Sequence, residues 1–200
     1  MSSAMRDHRA PHHEETPVFS DEHVTVLALA ARGGTPAAVE AFTRAVYPDV
    51  RRFVAYLAGA HTAEDLTQET FLRVLGSLPR FAGRSSARTW LLTIARRVVV
   101  DRFRSAACRP IVADLADWQS AAERRQPRGL PGCEDGVALA DLLARVPHER
   151  REAFVLTQLV GMPYTEAAAM IGCPVGTVRS RVARARSQLI ESLAAADRAA

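Results

Sequence analysis

Between Pro174 and Ile190 the chain carries four arginines and no acidic residue, a stretch whose strongest chemistry is attraction for an anion. Placed at 100° per residue, Val175, Val178, Val182, Ala185 and Leu189 share one narrow sector that must pack on other helices. The opposite face then holds Thr177, Ser180, Ala183 and Arg184, with Arg179 and Arg181 on its two flanks. A guanidinium near a helix N-terminus can meet guanine O6 and N7 in a major groove, while others neutralise backbone phosphates. A solvated arginine-rich helix is the bland reading of the same pattern. The preceding residues favour DNA, because a helical pattern over Tyr164 to Ile171 and a Gly172-Cys173-Pro174 turn complete a helix-turn-helix.

A second basic helix, roughly Ala87 to Arg104, has Ala87, Leu91, Ile94, Ala95 and Val98 as its apolar stripe. It turns Thr89, Arg96, Val100 and Phe103 outward, with Arg97 and Arg104 at the margin; Trp90 lies nearer the apolar side and reads as core. Arginine interleaved with an exposed aromatic suits single-stranded nucleic acid, which offers phosphates to the cations and unpaired bases to the ring. The helix from Ala63 to Leu78 has a different character. Thr67, Phe71, Val74, Leu75 and Leu78 form its buried sector and leave Asp65, Gln68, Glu69, Leu72 and Gly76 outside. An apolar centre with a polar rim is the anatomy of a protein interface, although a lone surface leucine is also common.

The elements that position these residues are all helices. Ser20 is an N-cap before Asp21 and Glu22, and Val24, Leu27, Ala28 and Ala31 make a stripe closed by Gly33-Gly34. Thr35-Pro36 opens a helix over Ala37 to Tyr47, Pro48 restarts one to Gly59, and Thr62-Ala63-Glu64-Asp65 is a capping-box-like start. Pro79 stops that helix, and Ser85 or Ser86 can cap the next. Further on, helices are expected from Val137 to Val146 and from His148 to Val160, before the helix-turn-helix pair. No stretch alternates as a strand. Residues 1–19 read as a disordered tail, and 106–135, with Pro110, Pro127, Gly129, Pro131 and Gly132, as a flexible linker with one short helical turn near Trp118. The expected fold is all-α, with two small helical domains over 20–105 and 136–194.

Charge follows the same division. All 26 basic residues are arginine, which fits the codon bias of a GC-rich genome. Ala82 to Arg109 holds seven arginines against Asp101 alone, whereas Pro110 to Asp135 has three arginines and five acids. Two basic stretches separated by an acidic connector suggest two contacts with a polyanion. No apolar run approaches the roughly 20 residues that a membrane-crossing helix needs. Cys108, Cys133 and Cys173 are far apart without a CxxC pair or neighbouring histidine, so neither a disulfide framework, a metal site nor a Cys/His hydrolase is suggested. The composition reads as cytoplasmic, with no catalytic residues and no cofactor.

Three segments in order carry a resemblance: Asp65-Leu66-Thr67-Gln68-Glu69-Thr70-Phe71, Thr89-Trp90-Leu91-Leu92-Thr93-Ile94-Ala95-Arg96, and the run from Gly172 to Arg186. Together they resemble the extracytoplasmic-function (group IV) sigma factors of bacterial RNA polymerase, over residues of about 20 to 193. The resemblance implies a sigma-2 helical bundle, a sigma-4 helix-turn-helix domain and no sigma-3 domain between them. It further implies that Asp65, Gln68, Glu69 and Leu72 dock on the beta-prime clamp helices of core polymerase, with the beta flap as a further contact. Arg84, Arg88, Arg96, Arg97, Val100, Phe103 and Arg104 would meet the unwound minus-ten element, and Thr177, Arg179, Ser180, Arg181 and Arg184 the minus-35 duplex. An anti-sigma protein is an open possibility. The chain departs from the family pattern at Arg97, Pro163, Ala167 and Ala183. A stand-alone helix-turn-helix repressor is the competing reading, and it leaves the Leu72 surface and the second basic helix without a purpose.

Overall fold

The computed structural model describes residues 21–108 and 134–198. The Ser20 cap, the tail, Cys133 and most of the expected linker, with its turn near Trp118, lie outside the described residues. Eight α-helices make up the described chain: α1 (Asp21–Ala31), α2 (Pro36–Ala58), α3 (Ala60–Ser77), α4 (Ala87–Cys108), α5 (Glu134–Ala144), α6 (His148–Phe154), α7 (Tyr164–Ile171) and α8 (Val175–Asp197). A short 3-10 turn follows α3, and a π-type turn, Val155–Leu159, extends α6.

In the first half, α2, α3 and α4 pack on one another and α1 lies across α2 and α4. Phe42, Val46, Val50, Phe53, Val54 and Leu57 bury one side of α2, opposite Leu66, Phe71 and Val74 of α3 and Leu91, Ala95 and Val98 of α4. Thr67 and Thr70, both fully buried, donate their hydroxyls to the carbonyls of Ala63 and Leu66 one turn back. The start of α4 is tied twice: Thr89 N–H donates to Ser86 Oγ at 3.1 Å, and Ala87 N–H to Thr25 Oγ1 of α1 at 3.0 Å.

Two helix boundaries differ from the sequence expectation. Pro48 lies inside α2, which runs unbroken from Pro36 to Ala58. The apolar side continues past the proline, and Pro48 itself is exposed, so packing outweighs the lost backbone bond. The α3 helix begins at Ala60, ahead of the expected capping box, because Gly59 at φ +89° turns the chain sharply and its N–H closes α2 on the Ala55 carbonyl. Thr62 Oγ1 instead donates to the Ala58 carbonyl.

The second half is built on α6 and α8, with α7 against α8. Val178, Val182, Ala185 and Leu189 of α8 are buried as the periodicity requires, while Val175 is half-buried. Gly172, left-handed at φ +80°, makes the turn between α7 and α8, and the Gly172 and Cys173 N–H groups both donate to the Ala168 carbonyl.

The halves touch. Helix α5 lies along α2, α6 approaches its C-terminal end, and the buried residues of both form one continuous cluster. At the seam sits Arg151, 8% exposed. Its Nη1 donates to the Leu57 carbonyl of α2 at 2.7 Å, Nη2 to the Ala144 and Val146 carbonyls at 3.1 and 3.0 Å, and Nε to Val146 at 3.2 Å. Replacing it strands these carbonyls in a dry seam. Arg151→Leu is therefore expected to lower unfolding stability by about 2–4 kcal/mol in urea titrations, and a loss below about 1 kcal/mol would show that the acceptors find other donors.

Candidate polymerase and promoter surfaces

On α3, Asp65, Gln68, Glu69 and Leu72 are all exposed, and Leu72 is 74% accessible, the most open large hydrophobic side chain among the described residues. Leu75, expected in the core, is instead 39% exposed and widens the apolar centre of this ridge. Glu69 and Asp101 both ion-pair with Arg73 beside it, which fixes the polar rim against α4. At the other end of α3, Glu64 accepts the Tyr47 hydroxyl at 2.8 Å, and that bond, with lesser help from Gln68 and Arg51, holds its carboxyl below the usual range.

The residues of α4 and of the loop before it divide into two groups. Arg84, Arg97 and Arg104 are exposed, and Phe103 is 41% exposed. Arg88 is half-buried and pairs with Asp21 and Asp49; Val100 is half-buried. Arg96 points toward the second half of the chain, where its Nε meets Glu152, a carboxylate only 4% exposed. Trp90 packs on Phe81, with ring centroids 4.8 Å apart, and is part of the core as its position on the helix suggests.

On α8, Arg179, Ser180 and Arg184 are exposed, and Thr177 is half-buried. Ser180 Oγ donates to the Thr177 carbonyl. Arg181 is held by Glu149 of α6, so its charge is shared within the protein. The exposed strip opposite Val178, Val182 and Ala185 thus presents two unshared cations beside a hydroxyl.

Comparison with known proteins decides what these surfaces belong to. The family model for sigma-70 region 2 matches residues 42–108, and that for sigma-70 region 4 matches 136–189. The ECF RNA polymerase sigma factor SigC of Mycobacterium tuberculosis is 52% identical over 85% of this chain and 91% of its own length. EcfG of Rhodopseudomonas palustris is 38% identical over 72% of this chain and 79% of its own. The chain is an extracytoplasmic-function sigma factor of the sigma-70 family. In three dimensions it is similar to the sigma factor RpoE of Bartonella quintana, solved with the anti-sigma factor NepR, at a TM-score of 0.60 and 27% identity over 77% of this chain and 95% of that one.

Sequence reasoning passed over the residues of this sigma factor that join its halves. Neither Glu152 nor Arg151 stands out in the run His148-Glu149-Arg150-Arg151-Glu152, yet both are buried. His148 meets Phe103 edge-on, with ring centroids 4.9 Å apart and planes at 72°. Its Nε2 is buried without a hydrogen-bond partner. Burial pushes the imidazole below its ordinary value; Glu152 and Glu149 oppose that shift, while Arg151 and Arg96 add to it. At the N-terminal end of α4 a cleft of about 740 Å³ runs between Arg84, Arg88 and Thr89 on one side and Met162, Glu166 and Met170 on the other.

The arrangement of α8 carries a direct consequence for duplex binding. Arg184→Ala should flatten the plot of log affinity against log salt by about one unit in anisotropy titrations with a promoter duplex. Arg181→Ala should change the slope less, because Glu149 already shares that charge. Equal effects of the two substitutions would contradict this assignment.

Proposed function

We propose that three surfaces divide the work of promoter-specific initiation, with sigma-2 spanning 20–105 and sigma-4 spanning 136–194. Asp65, Gln68, Glu69 and Leu72 dock on the beta-prime clamp helices of core RNA polymerase. The face of α4 with the loop before it, carrying Arg84, Arg88, Arg96, Arg97, Val100, Phe103 and Arg104, holds the unwound minus-ten strand. Thr177, Arg179, Ser180, Arg181 and Arg184 read the minus-35 duplex, and the beta flap of the polymerase supports sigma-4.

The exposed Leu72 supports this reading most strongly, because a protein acting on DNA alone has no use for an apolar centre ringed by Asp65, Gln68 and Glu69. In this reading the chain catalyses nothing, works in the cytoplasm beside the polymerase, and needs no cofactor; no helix of the described residues is long and apolar enough to cross a membrane. Its free energy goes into capture. Holding a base outside the stack costs a few kcal/mol, and cations on the phosphates with a ring under the base offset that. An anti-sigma protein is a further partner in this reading, since the basic faces of α4 and α8 attract an acidic competitor.

Run-off transcription with core polymerase on a promoter library tests the whole reading: transcripts that require the chain support it, and none would refute it. Leu72→Asp should leave the melting temperature unchanged, since the side chain buries little, and should weaken pull-down of core polymerase at least tenfold, the effect of a central interface residue worth about 1–2 kcal/mol. Phe103→Ala should depress open-complex formation, with about 1–3 kcal/mol of stacking lost, and leave affinity for a minus-35 duplex intact. Equal losses in both assays would overturn the division between α4 and α8.

A further inference from the structure

Side chains of helix α6 reach the face of α4 assigned above to the minus-ten strand. Two of that face's residues are engaged by it: Arg96 by Glu152, and Phe103 by His148. A strand must compete with α6 for the Arg96 guanidinium and for the part of the Phe103 ring that His148 covers. The contact has one conspicuous weakness. Among the described residues, the one buried side-chain nitrogen or oxygen without a hydrogen-bond partner is His148 Nε2.

We propose that this contact is an acid-released latch: neutral His148 lets α6 stay docked on α4, and protonation of His148 undocks it and frees the minus-ten face.

An imidazolium carries a proton on both nitrogens, so Nε2–H would face this seam with no acceptor. The charged groups around it do not rescue the cation. From α4 it meets Arg96 and the apolar ring of Phe103; from its own helix, Arg151, Glu149 and Glu152. Of the two carboxylates, Glu152 is already bound to Arg96 and Glu149 to Arg181. His148 is also the first residue of α6, where the unpaired backbone N–H groups disfavour a positive charge.

The direction of the pH dependence follows. In the undocked chain His148 is solvated and titrates near the ordinary imidazole value of about 6.5, whereas burial keeps it neutral to lower pH in the docked chain. The docked state therefore binds fewer protons. Its advantage is complete above about pH 6.5 and declines as the pH falls below that value, so the open-to-docked ratio rises by up to about tenfold between pH 7.5 and 5.5.

Small-angle scattering of the full chain at pH 7.5 and 5.5, with circular dichroism to confirm constant helicity, reads the ratio directly. The wild type should expand on acidification. His148→Phe, which keeps the ring contact without the proton, should not, and His148→Gln serves as a second neutral variant if the phenylalanine perturbs folding. Glu152→Gln should be open at both pH values, because it removes the charge that holds Arg96. A wild type that stays compact at pH 5.5, or variants that expand as it does, would overturn the latch.

The significance of the freed face rests on the proposed minus-ten role, but scattering needs neither polymerase nor promoter. Expansion by a chain inactive in run-off transcription would refute the role and keep the latch. Activity in a chain that never expands would do the reverse.

Discussion

A guanidinium leaves water only where oxygens replace its lost hydration, and Arg151 meets that condition with acceptors from both halves of the chain. The Leu57 carbonyl is one of the last four of α2, which have no partner within their own helix and carry the negative end of its dipole. Ala144 and Val146 supply the turn between α5 and α6. Three carbonyls from two distant places converge on one planar cation, so the C-terminus of α2 and the start of α6 must take up a single relative geometry. The Arg96–Glu152 pair and the Phe103–His148 contact both depend on that placement.

Much of the fold was readable from spacing alone. The buried sector of α8 and the turn at Gly172 follow from residues within one or two helical turns of each other, and the outward Leu72 follows from the periodicity of α3. Legibility ended where a distant partner overrode a local signal. Pro48 locally announces a break, but Val46, Val50, Phe53 and Leu57 keep burying the same side of α2, and tertiary packing outweighs one missing hydrogen bond. Arg151 and Glu152 failed for the same reason in reverse: nothing in a charged run at the head of a helix foretells acceptors 94 residues away at Leu57, or a cation on α4.

The candidate promoter residues show a related limit. Neighbouring positions on a helix face directions 100° apart, so Arg96 and Arg97 cannot serve one surface equally. Helical periodicity turned Arg96 outward and left Arg97 at the margin; the structure reverses the two, exposing Arg97 and drawing Arg96 against Glu152. Arg179 and Arg181 repeat the pattern on α8, where Glu149 pairs with Arg181 and Arg179 stays exposed. In both helices an acidic residue of α6 selects which cation is withdrawn. The short helix α6 thereby links the exposed faces of α4 and α8 electrostatically.

That coupling limits how strong the docking can be. A docked state favoured by about 1.4 kcal/mol reduces apparent affinity for a ligand of the open state about tenfold, and each further increment of that size does so again. The seam joins the apolar packing of α5 on α2 to an ion pair, one aromatic contact and a set of carbonyl bonds, and water can partly satisfy the polar groups once the halves separate. The first half keeps its own core of α1 to α4 without help from α6, so separation need not unfold it. In the proposed latch the apolar packing of α5 on α2 sets the size of the docking energy, and the polar contacts of α6 with α4 make the part of it that one proton can change.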